Sequence, residues 1–212
     1  DGTRLESRPQ SQTGFEAEFE SLWRKLLSKK WCWNRKAKTR RFGEITESAF
    51  DTLKAPTVGV DAEATAWARQ QAEKRTNKSL SVEEFVSSMT GYRVLALVPP
   101  CDGLPRYTNS VLGGYVDAYA FRGQFLSDCS AIIGERLLSD AWNSKLPTDT
   151  IKYGQELLQS SVEFAKSNQI DLSKVHTSDD PDSIEFKLDV VQSAGRWCVF
   201  WGERGHWLES YF

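Results

Sequence analysis

The sequence predicts an α+β protein: a helical N-terminal part, then an antiparallel sheet, a C-terminal aromatic meander, packed with helices. Three observations predict it. Apolar residues recur at helical spacing through residues 14–91. The chain ends in two aromatic runs, RWCVFW and HWLESYF, around the two-glycine turn GERG, which is the pattern of a β-hairpin. Just before them, Ile184, Phe186, Leu188 and Val190 alternate with Glu185, Lys187 and Asp189, the period of a half-buried strand. Ile184, Leu188 and Val191 also fit a helix, but the longer alternation favours the strand.

Residues 1–13 are polar, turn-forming and terminal, and are expected to be disordered. FEAEFESLWRKLL follows, with Phe15, Phe19, Leu22, Trp23 and Leu26 on one helical face. Its acids stand first and its bases last, as the helix dipole prefers. A second helix is expected over DAEATAWARQQAEKR with Asp61 as N-cap, and a third over SVEEFVSSM, where Ser81 and Glu84 are in capping-box register. YRVLALVPP is an apolar run stopped by two prolines and reads as a buried strand over residues 92–98. CDGLPRYTNSVLGG is a loop of turn formers, and YVDAYAF a further strand.

From Gly123 to Trp142, Phe125, Cys129, Ile132, Ile133, Leu137 and Ala141 mark an amphipathic helix. Ile151, Gly154, Leu157, Leu158, Ser161, Val162 and Ala165 mark the next, begun by Thr148 or Asp149. The charge balance shifts near residue 91, from +3 over residues 1–91 to −5 over residues 92–212. The chain therefore divides into a helical part with a basic segment, 14–91, and an α+β part, 92–212, or forms one continuous domain.

A net charge of −2 over 212 residues argues against a dedicated nucleic-acid coat, although a local patch can act where the sum does not. No apolar run approaches the roughly 18–20 residues of a membrane span, so no membrane partner is expected. Cys32, Cys101, Cys129 and Cys198 lie tens of residues apart with no C-x-x-C pair, which predicts reduced, buried thiols in a cytoplasmic protein. Neither zinc nor a nucleotide has a motif here, and Gly113-Gly114 lacks a phosphate-loop lysine. No cofactor is expected. Asn77-Lys78-Ser79 has the form of a glycosylation sequon without other signs of secretion.

The most unusual stretch is KKWCWNRKAKTRR. Residues 24–41 hold nine Lys or Arg and no acid, so the remaining chain sums to −11. Lys29, Lys30, Arg35, Lys36, Lys38, Arg40 and Arg41, with Trp31 and Trp33, form the candidate contact. Cations beside stacking rings suit single-stranded nucleic acid. The same segment suits docking on an acidic protein, or on the acidic remainder of its own chain. Trp197, Trp201 and Trp207 are the second candidate contact, since eight tryptophans are a surplus and Trp and Arg dominate binding hot spots. A thick core accounts for the same rings.

Three weaker sites remain. Glu203 and His206 on the terminal turn have acid–base chemistry. Cys101 opens a loop after a strand but needs an activating base. His176 adjoins Asp179, Asp180 and Asp182, which lack calcium-loop spacing. The leading expectation is a non-enzymatic protein-interaction module with a protein partner, for instance an inhibitor or neutraliser of a toxin. The alternative is a nucleic-acid-associated protein gripping through residues 24–41. A third is a small-substrate enzyme using Cys101 or Glu203 with His206.

Overall fold

Residues 184–203, expected to be a strand and the first arm of a hairpin, form one helix, and the fold class changes with them. The structure is a computed structural model that describes residues 2–5, 8–9, 15–27, 34–75, 79–105, 108–109, 114–115, 120–122, 126–177 and 180–211. Its helices are α1 (Phe15–Leu27), α2 (Arg35–Ile45), α3 (Ala49–Thr52), α4 (Ala62–Lys74), α5 (Val82–Ser88), α6 (Ser130–Asp140), α7 (Pro147–Ser167) and α8 (Ile184–Glu203). The fold is helical rather than α+β, and the C-terminal antiparallel meander is absent.

The reason lies in how deeply α8 is buried. Leu188, Val190, Val191, Trp197, Cys198 and Trp201 are all interior, and with the other buried positions they span about 220° of the helix circumference. A helix wrapped this far needs no narrow apolar stripe, so a run of alternating apolar residues costs it nothing. Ser183 starts it as an N-cap, its Oγ accepting from the Phe186 N–H at 3.2 Å.

Glycine lets α7 and α8 approach. A Cβ on Gly154 would lie 2.6 Å from the Gly195 carbonyl oxygen and 2.8 Å from Cys198 Cβ. One on Gly202 would lie 2.8 Å from the Pro147 carbonyl oxygen, and one on Gly195 2.7 Å from Leu158 Cγ. Early α7 thus faces late α8, and the two helices run antiparallel. Each helical glycine costs up to about 1 kcal/mol of intrinsic propensity, which the close backbone approach offsets through packing.

One cation is enclosed by this packing. Lys145, 5% exposed, donates from Nζ to the Asp140 carbonyl and, at 3.0 Å, to that of Asn143. It thereby caps the C-terminal carbonyls of α6 and sits 4.4 Å from the centroid of the Tyr153 ring. The Tyr153 hydroxyl donates to the Leu137 carbonyl at 3.0 Å. Helix α6 itself is interrupted at Gly134, whose φ of 72° breaks the expected 123–142 helix in two. Cys129, Ile132, Ile133, Leu137 and Ala141 are buried as expected, while Phe125 lies outside the described residues.

The strands are two to four residues long. β1 (Gly2–Leu5) and β2 (Arg8–Pro9) fall within the stretch expected to be disordered. β3 (Thr46–Glu47) pairs with β2, and β4 (Thr108–Asn109) with β5 (Gly114–Tyr115). β6 (Ala120–Arg122) and β7 (Leu208–Tyr211) flank β1. The expected strand YVDAYAF is only partly described, at Tyr115 and Ala120–Phe121. Leu208 of β7 is fully buried, but the described strands are short and the fold is carried by its helices.

The chain divides into two compact units, Asp1–Ala49 with Cys101–Phe212, and Phe50–Pro100. In the second, α4 and α5 pack around Val58, Ala64, Ala68 and Val94. Ser81 makes the expected capping box with Glu84, and its hydrogen bonds hold the Glu84 carboxyl below its usual range. Asp61 precedes α4 as expected, but its carboxylate accepts from the Thr57 N–H at 2.7 Å instead of capping the helix. The strand expected over 92–98 is replaced by one bridge, Thr57 to Arg93, and a 3-10 turn over Leu95–Leu97. The Val94 N–H reaches the Pro56 carbonyl, and the chain then coils before Pro99 and Pro100, which have no N–H to continue a ladder.

Candidate functional site

Helix α2 carries the described half of the basic segment. Its apolar side is set by Ile45, fully buried, and Phe42, whose ring stacks on Phe19 of α1 at 5.0 Å. Phe19 in turn meets Trp207 at 5.0 Å. Trp207 is therefore the buried post on which the α1–α2 pair rests. With that side fixed, the helical screw places Lys36 and Arg40 within about 40° of each other on the opposite side, while Arg35 stands in the first turn about 20° from the line of Phe42; all three are exposed. Lys38 falls on the side of Phe42 and Ile45 and Arg41 at the margin of that side, and both are half-buried.

The two ends of α2 differ electrostatically. At its C-terminal end, Arg41 clamps Glu18 of α1 with two hydrogen bonds of 2.8 and 2.9 Å, and also reaches Glu44. Hydrogen bonding from Arg41 holds the Glu18 carboxyl below its ordinary pKa. Arg40 approaches Glu44 at 3.7 Å. The N-terminal end has no acid in its first turn, and Asn34, in the left-handed region at φ 58°, makes no side-chain cap. Arg35 and Lys36 thus stand at the positive end of the helix dipole, where cations are disfavoured. Among the described residues, no carboxylate pairs with either.

Gly43, on the same exposed side, has nothing within 4 Å of where a Cβ would be. Gly43→Ala is expected to raise the unfolding free energy by roughly 0.5–1 kcal/mol. Urea titration would check this, and an unchanged midpoint would contradict the open surface described.

The other sequence-proposed residues are dispersed. Lys29, Lys30, Trp31 and Trp33 lie outside the described residues, as do Asp179 and the side chain of His176. Trp197 and Trp201 are fully buried and Trp207 is 6% exposed, so these rings belong to the packed interior. The Trp201 indole N–H donates to the Gly103 carbonyl at 3.3 Å. His206 is also buried, edge-on to Trp201 at 4.8 Å, whereas Glu203 is exposed at the end of α8. Cys101 is half-buried, and its neighbour Asp102 pairs with Arg196 at 3.3 Å. Asp180 and Asp182 are exposed, and the Asp180 carboxylate accepts the Asp182 N–H.

Among the described residues, no group of three His, Cys, Asp or Glu is placed to hold a metal ion. Among them, too, no helix is long and apolar enough to cross a membrane. Sequence reading missed Glu18 and Glu44, the acids that decide which cations of α2 are neutralised. A pairing between two helices leaves no local sequence signal, although Arg40 and Glu44 do stand at i,i+4. Comparison of the chain with protein-family models, with curated proteins and with solved structures finds no match.

Proposed function

We propose that this chain is a protein-interaction module that presents the exposed cations of α2, Arg35 and Lys36 at its N-terminal end with Arg40, to an acidic surface of a partner protein. The observation that carries the reading is the asymmetry of α2: Arg40 and Arg41 are answered by carboxylates, while Arg35 and Lys36 are exposed where the helix dipole opposes them. Charges kept where they weaken their own helix are consistent with selection for contact rather than for stability. A positive patch on a chain of net charge −2 would steer an acidic partner and set its register.

A protein is favoured over nucleic acid because Glu18, Glu20 and Glu44 are interleaved with the arginines they pair. Those carboxylates would repel a phosphate backbone, whereas a protein surface of mixed charge accommodates them.

The test is affinity capture with the native chain and with the triple variant Arg35→Glu, Lys36→Glu, Arg40→Gln, followed by titration of the captured partner. Glu in the first turn suits the dipole, so the variant is expected to fold. Its affinity is expected to fall roughly 10- to 100-fold, with a weaker salt dependence. Unchanged affinity would remove the reading. Tight low-salt binding of an oligonucleotide, lost in the variant, would replace it with the nucleic-acid alternative.

A further inference from the structure

We infer that residues 50–100 are a separate cooperative unit that opens and recloses by local unfolding while the remainder of the chain stays folded. The first support is that the two ends of the unit are tied to each other. The Val58 N–H donates to the Tyr92 carbonyl, the Gly91 N–H to that of Val58, and the Val94 N–H to that of Pro56, at 2.8–2.9 Å. The Arg93 guanidinium pairs with Asp51 across the same neck. A segment closed on itself in this way satisfies its own backbone groups, and both its ends meet at one point.

The second support is that the unit has its own core, and a small one. Among its described residues, Val58, Ala64, Ala68 and Val94 form the enclosed cluster and Ala55, Ala72 and Val98 are also buried, with Trp67, Val86, Met89 and Leu97 only partly covered. No residue of α5 is fully buried. The other unit encloses Trp197, Trp201, Leu157 and Leu188 completely. Since apolar area removed from water is the main favourable contribution, the Val/Ala core holds its unit by less. Two further contacts join α4 to α5: the exposed pair Arg69 with Glu83, and Arg75 over the half-buried Phe85 ring at 3.9 Å. Few buried contacts and a closed neck are the features of a unit that opens on its own.

Native-state hydrogen exchange on the full chain tests this, read by mass spectrometry for the native protein and Val58→Ala. The variant is expected to speed exchange across residues 58–94 by roughly 10- to 100-fold, with changes below about twofold across residues 153–165 and 186–201. The milder Ala68→Gly is expected to act in the same direction by a smaller factor. Complete loss of protection confined to residues 50–100 would also support the inference. Equal acceleration in both regions, no acceleration in either, or loss of protection throughout the chain would overturn it. Leu157→Ala supplies the mirror: it is expected to speed residues 153–165 and 186–201 and to leave residues 58–94 within about twofold.

Discussion

Gly154→Ala is expected to lower the unfolding free energy by about 2 kcal/mol and the melting temperature by roughly 4–8 °C. The methyl group would arrive 2.6 Å from the carbonyl oxygen of Gly195, a backbone atom on the facing helix, and 2.8 Å from Cys198 Cβ. Neither can turn away, so α7 and α8 must separate and the surrounding contacts must loosen. Alanine's better helix propensity returns up to about 1 kcal/mol, which does not reverse the sign. Gly195→Ala is expected to destabilise for the same reason, because its Cβ would lie 2.7 Å from Leu158 Cγ and 2.9 Å from the carbonyl oxygen of Gly154, again a backbone atom of the facing helix. Gly154→Val is expected to cost more than either, since its two branch methyls have still less room. Thermal unfolding followed by tryptophan fluorescence reads all three. A Gly154→Ala protein as stable as the native one would mean that the helices do not approach as closely as described.

This crossing also shows where sequence reading stops. Helices α1, α4, α5 and α7 were legible because each keeps a solvent side, so apolar residues fall at helical spacing. The capping box of Ser81 and Glu84 was legible for a local reason: both partners lie within one turn. Helix α8 was not legible, because the residues that enclose it come from elsewhere in the chain and remove the amphipathic pattern. The glycines misled in a related way. Gly202 lies within α8 and serves the approach of α7, while Gly205, at φ 75°, turns the chain at the end of the helix. The Gly205 N–H donates to the Gly202 carbonyl and the His206 N–H to that of Trp201, a helix ending where a hairpin turn was expected.

The candidate site was half legible. The density of Lys and Arg in residues 24–41 pointed to the right neighbourhood, since charge composition is local. Which of those cations are answered depended on α1 folding back to bring Glu18 to Arg41. The tryptophans went the other way. Trp207 was grouped with contact residues, yet its ring supports Phe19 beneath α2. An aromatic surplus does not distinguish a core from a surface until the elements are placed.

The second large effect is on alkaline stability. Burial pushes the Cys198 and Cys129 thiols up to about 12, from an ordinary value of 9.0. Burial also raises the Tyr153 phenol, whose ordinary value is 10.0. Below pH 9 each thiol is protonated whether the chain is folded or not, and contributes no pH dependence. Between pH 9 and about 12 the unfolded chain loses these protons while the folded one keeps them, so stability falls as pH rises. The slope is about 1.4 kcal/mol per pH unit for each thiol once the unfolded chain is ionised. Lys145 opposes this. Burial lowers its pKa from 10.5, only partly countered by Asp140, Cys198 and Asp149, so below 10.5 the folded chain binds less proton there and gains stability as pH rises. Two thiols and a phenol outweigh one amine, and the net expectation is a loss of roughly 2–4 kcal/mol between pH 8 and pH 10.5. Urea titrations under reducing conditions at those two pH values measure it. Cys198→Ala should flatten the dependence whatever it does to stability at pH 8, because removing a titrating group changes the slope and a small cavity does not. An unchanged slope in that variant would show that Cys198 is not held protonated in the interior, and the packing assigned to α8 against α7 would then be wrong at the residue that meets Gly154.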